Sequence, residues 1–397
     1  MRNNTKLKIL MLLDNDYPKD ERVEKEAETL HKLGHDVYIL ATNFNDRQKY
    51  ANINGVNIIR LNLSKTIKNK LHPFAATLPF YTWYWKRKVV QLFNTYSFDV
   101  IHCHDLPLCS VGYEIKKQFP SIKYFADLHE NFPNLIQGMS YMKNAFVKRA
   151  VNVKLWYNKE RKWLKNADGI IVTAPGMKQR LQSAGIVQNN WGIVENTIRL
   201  KDFNIEEAKP DKNYITLFYS GGITIHRGLQ IALEGYSIAK EKYKNLRFWI
   251  VGAGKYEGEL RKMITSKNIK DVTFWGWKSQ PDMFRIMQNS DIGIIPHLRS
   301  EHTNNTSPNK IFHYFRAKIP VLVSNCDYLK EVILKSQAGL YYNDQSPNDF
   351  ANQLIELILS KDKKGFGHNG YEAVSQKYNW TITQKELKSV YNKITLK

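Results

Sequence analysis

The 397-residue chain has room for two domains with a core each, and its 43% hydrophobic content is ordinary for a globular protein. Lysine and arginine outnumber aspartate and glutamate by 59 to 37, a net charge of +22, which points to nucleic acid, anionic lipid or polyphosphate as partner, with a lysine-rich coding bias as the weaker explanation. Three cysteines without metal spacing (Cys103, Cys109, Cys326) suit a reducing cytosol, Ile9–Leu13 is too short for a signal peptide, and no run approaches the ~20 apolar residues of a membrane span.

Short apolar runs alternate with helical patterns from end to end, which predicts parallel, doubly wound sheets. Lys8–Leu13 reads as a buried strand. A polar loop follows over Asp14–Asp20, and then a helix with Val23, Ala27, Leu30 and Leu33 on one face, stopped by Gly34. Strands are expected at Asp36–Thr42, Val56–Leu63, Asp99–His104, Lys123–His129, Gly169–Thr173 and Trp191–Asn196. The polar stretch 201–213 reads as a linker. The alternation then restarts, with strands at Ile215–Gly221, Arg247–Gly254, Val272–Trp277, Asp291–His297, Pro320–Ser324 and Ala338–Asn343. Helices are expected from about His226, at 347–359 and at 364–378.

Two segments depart from this rhythm. Residues 65–98 hold six basic residues, no acidic one and nine aromatics, among them Trp83, Tyr84 and Trp85 beside Lys86, Arg87 and Lys88. Residues 138–165 hold eight basic residues against Glu160, with Tyr141, Phe146, Trp156, Tyr157 and Trp163. Cations interleaved with Trp and Tyr suit an anionic membrane interface or single-stranded nucleic acid, and a solvated helix face over buried rings is the simpler alternative.

The stretch 306–324 carries the clearest local chemistry. Ser307 reads as an N-cap, Pro308 as the first helical residue, and Lys310 sits one turn in, so the helix start favours a phosphate. Pro320 ends the helix before a buried strand.

Four groups of residues resemble the large retaining glycosyltransferase family 4 of the GT-B fold. They are Asp20-Glu-Arg-Val23 with Glu26-Ala27 and Gly34-His35-Asp-Val37; Asp99-Val-Ile-His-Cys-His104 with Asp127-Leu-His-Glu130; Val251-Gly-Ala-Gly254 with Phe274-Trp-Gly276 and Asp291-Ile-Gly-Ile-Ile-Pro296; and Tyr378-Asn-Trp380. The resemblance implies an α/β protein of two tandem Rossmann-like, doubly wound parallel-sheet domains facing a central cleft. Residues 1–200, completed by 379–397, would form the acceptor side, 201–378 would bind the nucleotide-sugar, and the C-terminal helix would cross back to the first domain.

It also implies site residues. Arg227 and Lys310, with Gly221, Gly222, Ser307 and Asn309, match the positions that hold the donor diphosphate. Gly252, Gly254, Gly276 and Trp277 match the nucleotide-side turns. His129, with Glu130 and His104, matches the acceptor side, where a histidine can bond a sugar hydroxyl or assist proton movement; Asp105 and Asp14 end neighbouring strands. The family's paired glutamates fall on Asn305 and His313, so ribose contact would pass to His313, with Glu301 taking part of the other role. Neither metal nor other cofactor is expected, because a basic site neutralises the diphosphate. The expected enzyme is a hexosyltransferase using a UDP- or GDP-sugar and a lipid-linked or glycan acceptor, in the cytoplasm at the inner membrane face, with no nucleic acid partner. The alternatives are a non-catalytic binding protein or partner subunit, and a sugar-nucleotide epimerase.

Overall fold

The computed structural model describes residues 6–138, 142, 144–203, 211 and 213–395. The chain divides into two compact units, residues 1–195 with 383–397, and residues 196–382. The division precedes the 201–213 stretch, of which 204–210 and 212 lie outside the described residues. Backbone pairing explains the shift: Ile198 bridges to Asn379 and accepts a hydrogen bond from Trp380 N at 2.8 Å, so residues near 198 belong with the second unit.

The first unit is an eight-stranded sheet in the order β3-β4-β2-β1-β5-β6-β7-β8. Its strands are β1 (Lys8–Asp16), β2 (Asp36–Thr42), β3 (Tyr50–Ile53), β4 (Val56–Leu61), β5 (Val100–His104), β6 (Lys123–Leu128), β7 (Gly169–Val172) and β8 (Trp191–Ile193). All neighbours are parallel except the β3–β4 hairpin at the edge. That short, exposed β3 has no apolar run, which hid it from the sequence reading. Ile9, Leu10, Met11 and Leu12 of the central β1 are fully buried, as a strand covered on both faces requires. Helix α1 (Glu21–Lys32) starts where Asp20 accepts a hydrogen bond from Val23 N at 3.2 Å, and the chain leaves it through Gly34 at φ 92°.

Residues 65–93 form α2 (Lys65–Leu71), a 3₁₀ turn (His72–Phe74) and α3 (Phe80–Phe93). The unit continues with α4 (Leu106–Gln118), α5 (Phe132–Gln137), α6 (Ala145–Val151), α7 (Val153–Lys165) and α8 (Pro175–Ser183). Here the sequence reading needs correction. Trp85 does not belong to a surface patch: it is fully buried with Tyr81 and Val89 in the core. Trp156 is fully buried too, its indole N–H donating to Pro73 O at 3.0 Å, and Trp163 lies under the surface. Helical spacing turns Trp85 inward and Trp83 outward; Lys86, Arg87 and Lys88 stay on the outer side, with Lys86 3.5 Å from Glu114. Tyr141 lies outside the described residues.

The second unit is a six-stranded parallel sheet in the order β11-β10-β9-β12-β13-β14, the Rossmann order. Its strands are β9 (Ile215–Ser220), β10 (Leu246–Val251), β11 (Val272–Gly276), β12 (Ile292–Ile295), β13 (Val321–Ser324) and β14 (Gly339–Tyr342). Helices α9 (Leu229–Lys242), α10 (Glu257–Ser266), α11 (Gln280–Gln288), α12 (Glu301–Asn304), α13 (Lys310–Arg316), α14 (Asp327–Ser336), α15 (Pro347–Leu359) and α16 (Lys363–Gln376) connect and follow them. The final helix α17 (Trp380–Thr395) belongs from Thr383 onward to the first unit, where Val390 O accepts from the Asn190 amide at 3.0 Å. No helix among the described residues is long and apolar enough to cross a membrane.

Candidate active site

In open parallel sheets, ligands bind beyond the carboxyl ends of the strands where the strand order reverses. The reversal falls between β1 and β5 in the first unit and between β9 and β12 in the second.

At the first of these, Asp14 near the end of β1 meets His104 and Asp105 at the end of β5, and His129 follows β6. Asp105 has φ 67° and ψ 153°, a region normally left to glycine. Its backbone N–H donates to Asp127 O at 2.8 Å and its Oδ1 accepts from His129 N at 3.2 Å, contacts that hold the unfavourable geometry.

Behind the strand ends lies a closed network of charge. Arg22 Nη2 is 2.7 Å from Asp127 Oδ1 and 3.0 Å from Glu26 Oε1, and Nη1 donates to Val194 O. Asp127 Oδ2 stands 3.2 Å from His104 Nδ1, 3.4 Å from His129 Nε2 and 3.6 Å from His102 Nε2. His102 Nδ1 and the Tyr391 hydroxyl of α17 share a hydrogen bond of 2.8 Å. Arg22, Glu26, His102, His104 and Asp127 are all buried.

The burial sorts the protons. It pushes Glu26 well above the usual carboxylate range despite Arg22. It would raise Asp127 as well, but Arg22 and His129 pull that group well below the usual range. Burial, with His102 beside it, lowers His104 to about 3. Burial also opposes charge on His129, yet Asp105 and Asp127 raise it to about 10. The two carboxylates thus favour the charged form of His129. Its Nε2–H faces His104 Nδ1 at 3.1 Å, while Nδ1 is 3.6 Å from Asp105 Oδ2, too long for an ordinary hydrogen bond. Burial raises Asp14 to about 7 against the pull of Lys68, 3.8 Å away, and of the Tyr81 hydroxyl, which donates to it at 2.8 Å. Glu130 is half-buried on the turn after His129.

Glu26, His102, His104 and Asp127 bring donor atoms within 4.8 Å of one another, a cluster that linear spacing did not reveal because three elements supply it. The guanidinium of Arg22 already lies against both carboxylates and supplies their positive partner. A signal was nevertheless present: Arg22 and Glu26 share the helical face of Val23, Ala27 and Leu30, where charged residues are not expected without partners.

The second unit's site is built from cations. Arg227 ends a 3₁₀ turn (Ile225–Arg227), and α9 starts only after Gly228, later than the expected His226. Gly228 has φ 69°, and a Cβ there would lie 1.7 Å from Pro296 O, so only glycine allows this approach. Arg227 Nη1 donates to His297 Nε2 at 2.8 Å. Lys310 Nζ lies 4.2 Å from the centre of the Tyr219 ring, and the Tyr219 hydroxyl donates to Gly222 O at 2.7 Å. Lys310 is buried and its Nζ has no hydrogen-bond partner among the described residues. Burial, then Arg227, lowers Lys310 well below the usual lysine range. The same two causes lower His297, and they bring His302 to about 4.

Gly221, at φ 137°, would bring a Cβ 2.6 Å from Lys310 Nζ, and Gly252 and Gly254 pack their backbones against Gly221 and Ile223. Gly276 closes β11 at φ 68°, and Trp277 is exposed. Ser307 is not the N-cap of α13: its hydroxyl donates to the Tyr328 hydroxyl at 3.0 Å, its carbonyl accepts from Asn196, and Asn309 takes the cap position without a side-chain bond. Asn305 ends α12 and donates to Glu301 O at 2.8 Å, while Glu301 is exposed. His313 is buried with its ring 4.7 Å from that of Phe203. Neither His297 nor His302 was singled out from the sequence; both lie far from Arg227 along the chain.

Residues 22–202 match the description Glycosyltransferase Family 4, and residues 215–360 match Glycosyl transferases group 1. An uncharacterised glycosyltransferase of Methanocaldococcus jannaschii is 23% identical over 92% of this chain and 91% of its own. The capsular polysaccharide biosynthesis glycosyltransferase CapM of Staphylococcus aureus is 20% identical over 57% of this chain and 62% of its own. Among solved structures, sucrose-phosphate synthase from Thermosynechococcus elongatus superposes with a TM-score of 0.75 at 17% identity, over 98% of this chain and 99% of that one. Anabaena HepE in complex with UDP gives 0.68 at 14% identity, over 97% and 100%. The fold is that of the GT-B proteins, and the protein belongs to the group 1 glycosyltransferases.

Proposed function

We propose that the protein transfers a hexose, with retention, from a UDP- or GDP-sugar to a lipid-linked or polysaccharide acceptor at the inner face of the membrane. The observation that carries the donor side is Lys310: a buried lysine whose Nζ has no hydrogen-bond partner among the described residues, beside Arg227, with burial and that neighbour both opposing its charge until an anion is present. A diphosphate would favour the charged form of Lys310 and sit beside Arg227, and its own charge grows as the glycosidic bond breaks. The C1–O bond to the diphosphate breaks as the bond to the acceptor oxygen forms. The acceptor's proton passes to the leaving phosphate oxygen on the same face.

In this reading Arg227 and Lys310 hold phosphate oxygens, with Gly221, Gly222, Ser307 and Asn309 beside them. Gly252, Gly254, Gly276 and Trp277 border the nucleotide. His313, Asn305 and Glu301 answer for ribose and sugar hydroxyls. His129, as a cation, donates to the transferred sugar, with Glu130 and His104 nearby. No metal or other cofactor is required. The polysaccharide-forming relatives support a glycan acceptor. Exposed Phe80, Trp83 and Phe146 among the basic residues of α3 and α6 support a peripheral membrane position.

The test is thermal stabilisation by UDP, GDP, CMP and dTDP on the wild type and on Arg227→Ala with Lys310→Ala. A nucleotide at ~100 times its dissociation constant adds about 2.7 kcal/mol. One nucleotide should stabilise the wild type and not the double variant. Stabilisation by none would sink the donor reading and favour a binding subunit. The membrane arm is checked separately: Arg87→Glu with Lys88→Glu should release the protein from anionic vesicles, and unchanged sedimentation would refute it.

A further inference from the structure

Residues Ala75, Ala76, Leu78, Pro79, Trp83 and Trp163 line a groove of about 400 Å³ on the first unit, a volume in the range of small-ligand sites. Lys86, Glu114 and Lys159 line the same groove. Glu114 lies 3.5 Å from Lys86, whereas Lys159 has no ion pair among the described residues, so the groove carries one surplus positive charge. Around it the apolar surface continues into solvent: Leu78 is 45%, Phe80 60% and Trp83 58% exposed. A run of exposed apolar groups this dense marks a contact surface. The 65–98 segment, which supplies much of the groove's lining, holds six basic residues and no acidic one. An apolar channel with a surplus lysine matches a hydrocarbon chain that ends in an anion.

The segment that lines the groove also reaches the strand ends with its opposite face. Leu78, Pro79 and Thr82 line it, and Tyr81, within that same turn of α3, points the other way and donates to Asp14 near the end of β1. Lys68 of α2 reaches the same carboxylate. One segment thus borders both the groove and the point where the strand order reverses.

We infer that this groove binds the hydrocarbon of a lipid phosphate, the anchor of the acceptor, with Lys159 on its phosphate and the glycan directed toward Asp14. The inference rests on the acceptor reading above and is independent of the donor site. Lys86 contributes little to the phosphate, because Glu114 already neutralises it.

Dodecyl phosphate below its micelle concentration is the probe, titrated calorimetrically against the wild type, Thr82→Trp, which fills the groove, and Lys159→Glu. One equivalent should bind the wild type saturably. Each variant should bind about tenfold more weakly or worse, about 1.4 kcal/mol. Inorganic phosphate at the same concentration should not displace the probe, and uncharged dodecyl maltoside should bind more weakly. Equal binding by the wild type and Thr82→Trp overturns the inference. So does displacement by inorganic phosphate, which would make the site one for a free anion. If Thr82→Trp does not fold, Leu78→Asp, at an exposed position, replaces it with the same expected loss. The nucleotide-induced shift in melting temperature should be unchanged in all of these variants; its absence from the wild type as well would count against the donor reading and leave the groove result standing.

Discussion

The two strand-end sites handle buried charge in opposite ways. In the first unit, Arg22, Asp127, Glu26, Asp105 and His129 bring both signs together, and protons are distributed until the cluster is nearly neutral. In the second, Arg227, Lys310, His226, His297 and His302 bring only cations and imidazoles, and each imidazole is pushed toward its neutral form. A buried ion pair satisfied within the protein is a structural element, and removing one partner is costly. A buried cation left without an anion is a binding element, because its cost is recovered only when a ligand supplies the charge.

That contrast can be broken most severely at Arg22. Arg22→Ala leaves Asp127 and Glu26 buried without their cation, and should destabilise the first unit by about 3–5 kcal/mol in urea unfolding. A loss below about 1 kcal/mol would show that the network does not hold the unit together. Lys310→Ala should do the reverse. The free protein should lose little stability, since the buried amine removed makes no hydrogen bond among the described residues. Transfer should nevertheless fall by roughly 10²–10³, as when one charge-stabilising donor is deleted from an active site. Destabilisation of free Lys310→Ala as large as that of Arg22→Ala would erase the distinction.

The imidazoles sharpen it further. His302 has a folded pKa of about 4, below its ordinary 6.5, so between these values the unfolded chain binds more protons. Its contribution to stability is complete above about pH 6.5 and is lost as pH falls toward 4. His302→Gln should therefore gain on the wild type across that window by no more than about 1.4 kcal/mol per pH unit, read from paired melting curves. A difference independent of pH would contradict the assignment. For His129 the sign is opposite: its raised pKa contributes stability below 6.5 that is lost as pH rises through about 10. The smallest effect is expected at Tyr391→Phe, which removes one buried hydrogen bond to His102 and should cost about 0.5–1.5 kcal/mol in the same assay.

Much of this architecture was legible along the chain. Alternating apolar runs and helical stripes marked every parallel strand of both sheets, because a strand buried on two faces must be apolar throughout. Lys310 stood out through the expected helix start at 307–308, whereas Arg227 and the glycine turn at 221–222 were singled out through the resemblance to the family. The hairpin strand β3 escaped because an exposed edge strand leaves no apolar run. Trp85 was assigned to the wrong side because three consecutive aromatic residues give no phase, and only packing against Tyr81 and Val89 decides which ring is buried.

The sequence by itself determined the fold class and the order of the two sheets' strands in the chain. Tertiary structure alone decided which charges meet. Arg22 and Asp127 are 105 positions apart, and His102 and Tyr391 are 289 apart. Protonation was decided there too. Whether His129 carries a proton depends on desolvation and on carboxylates brought to it by other strands, and these are properties of the enclosed site rather than of any local run of residues.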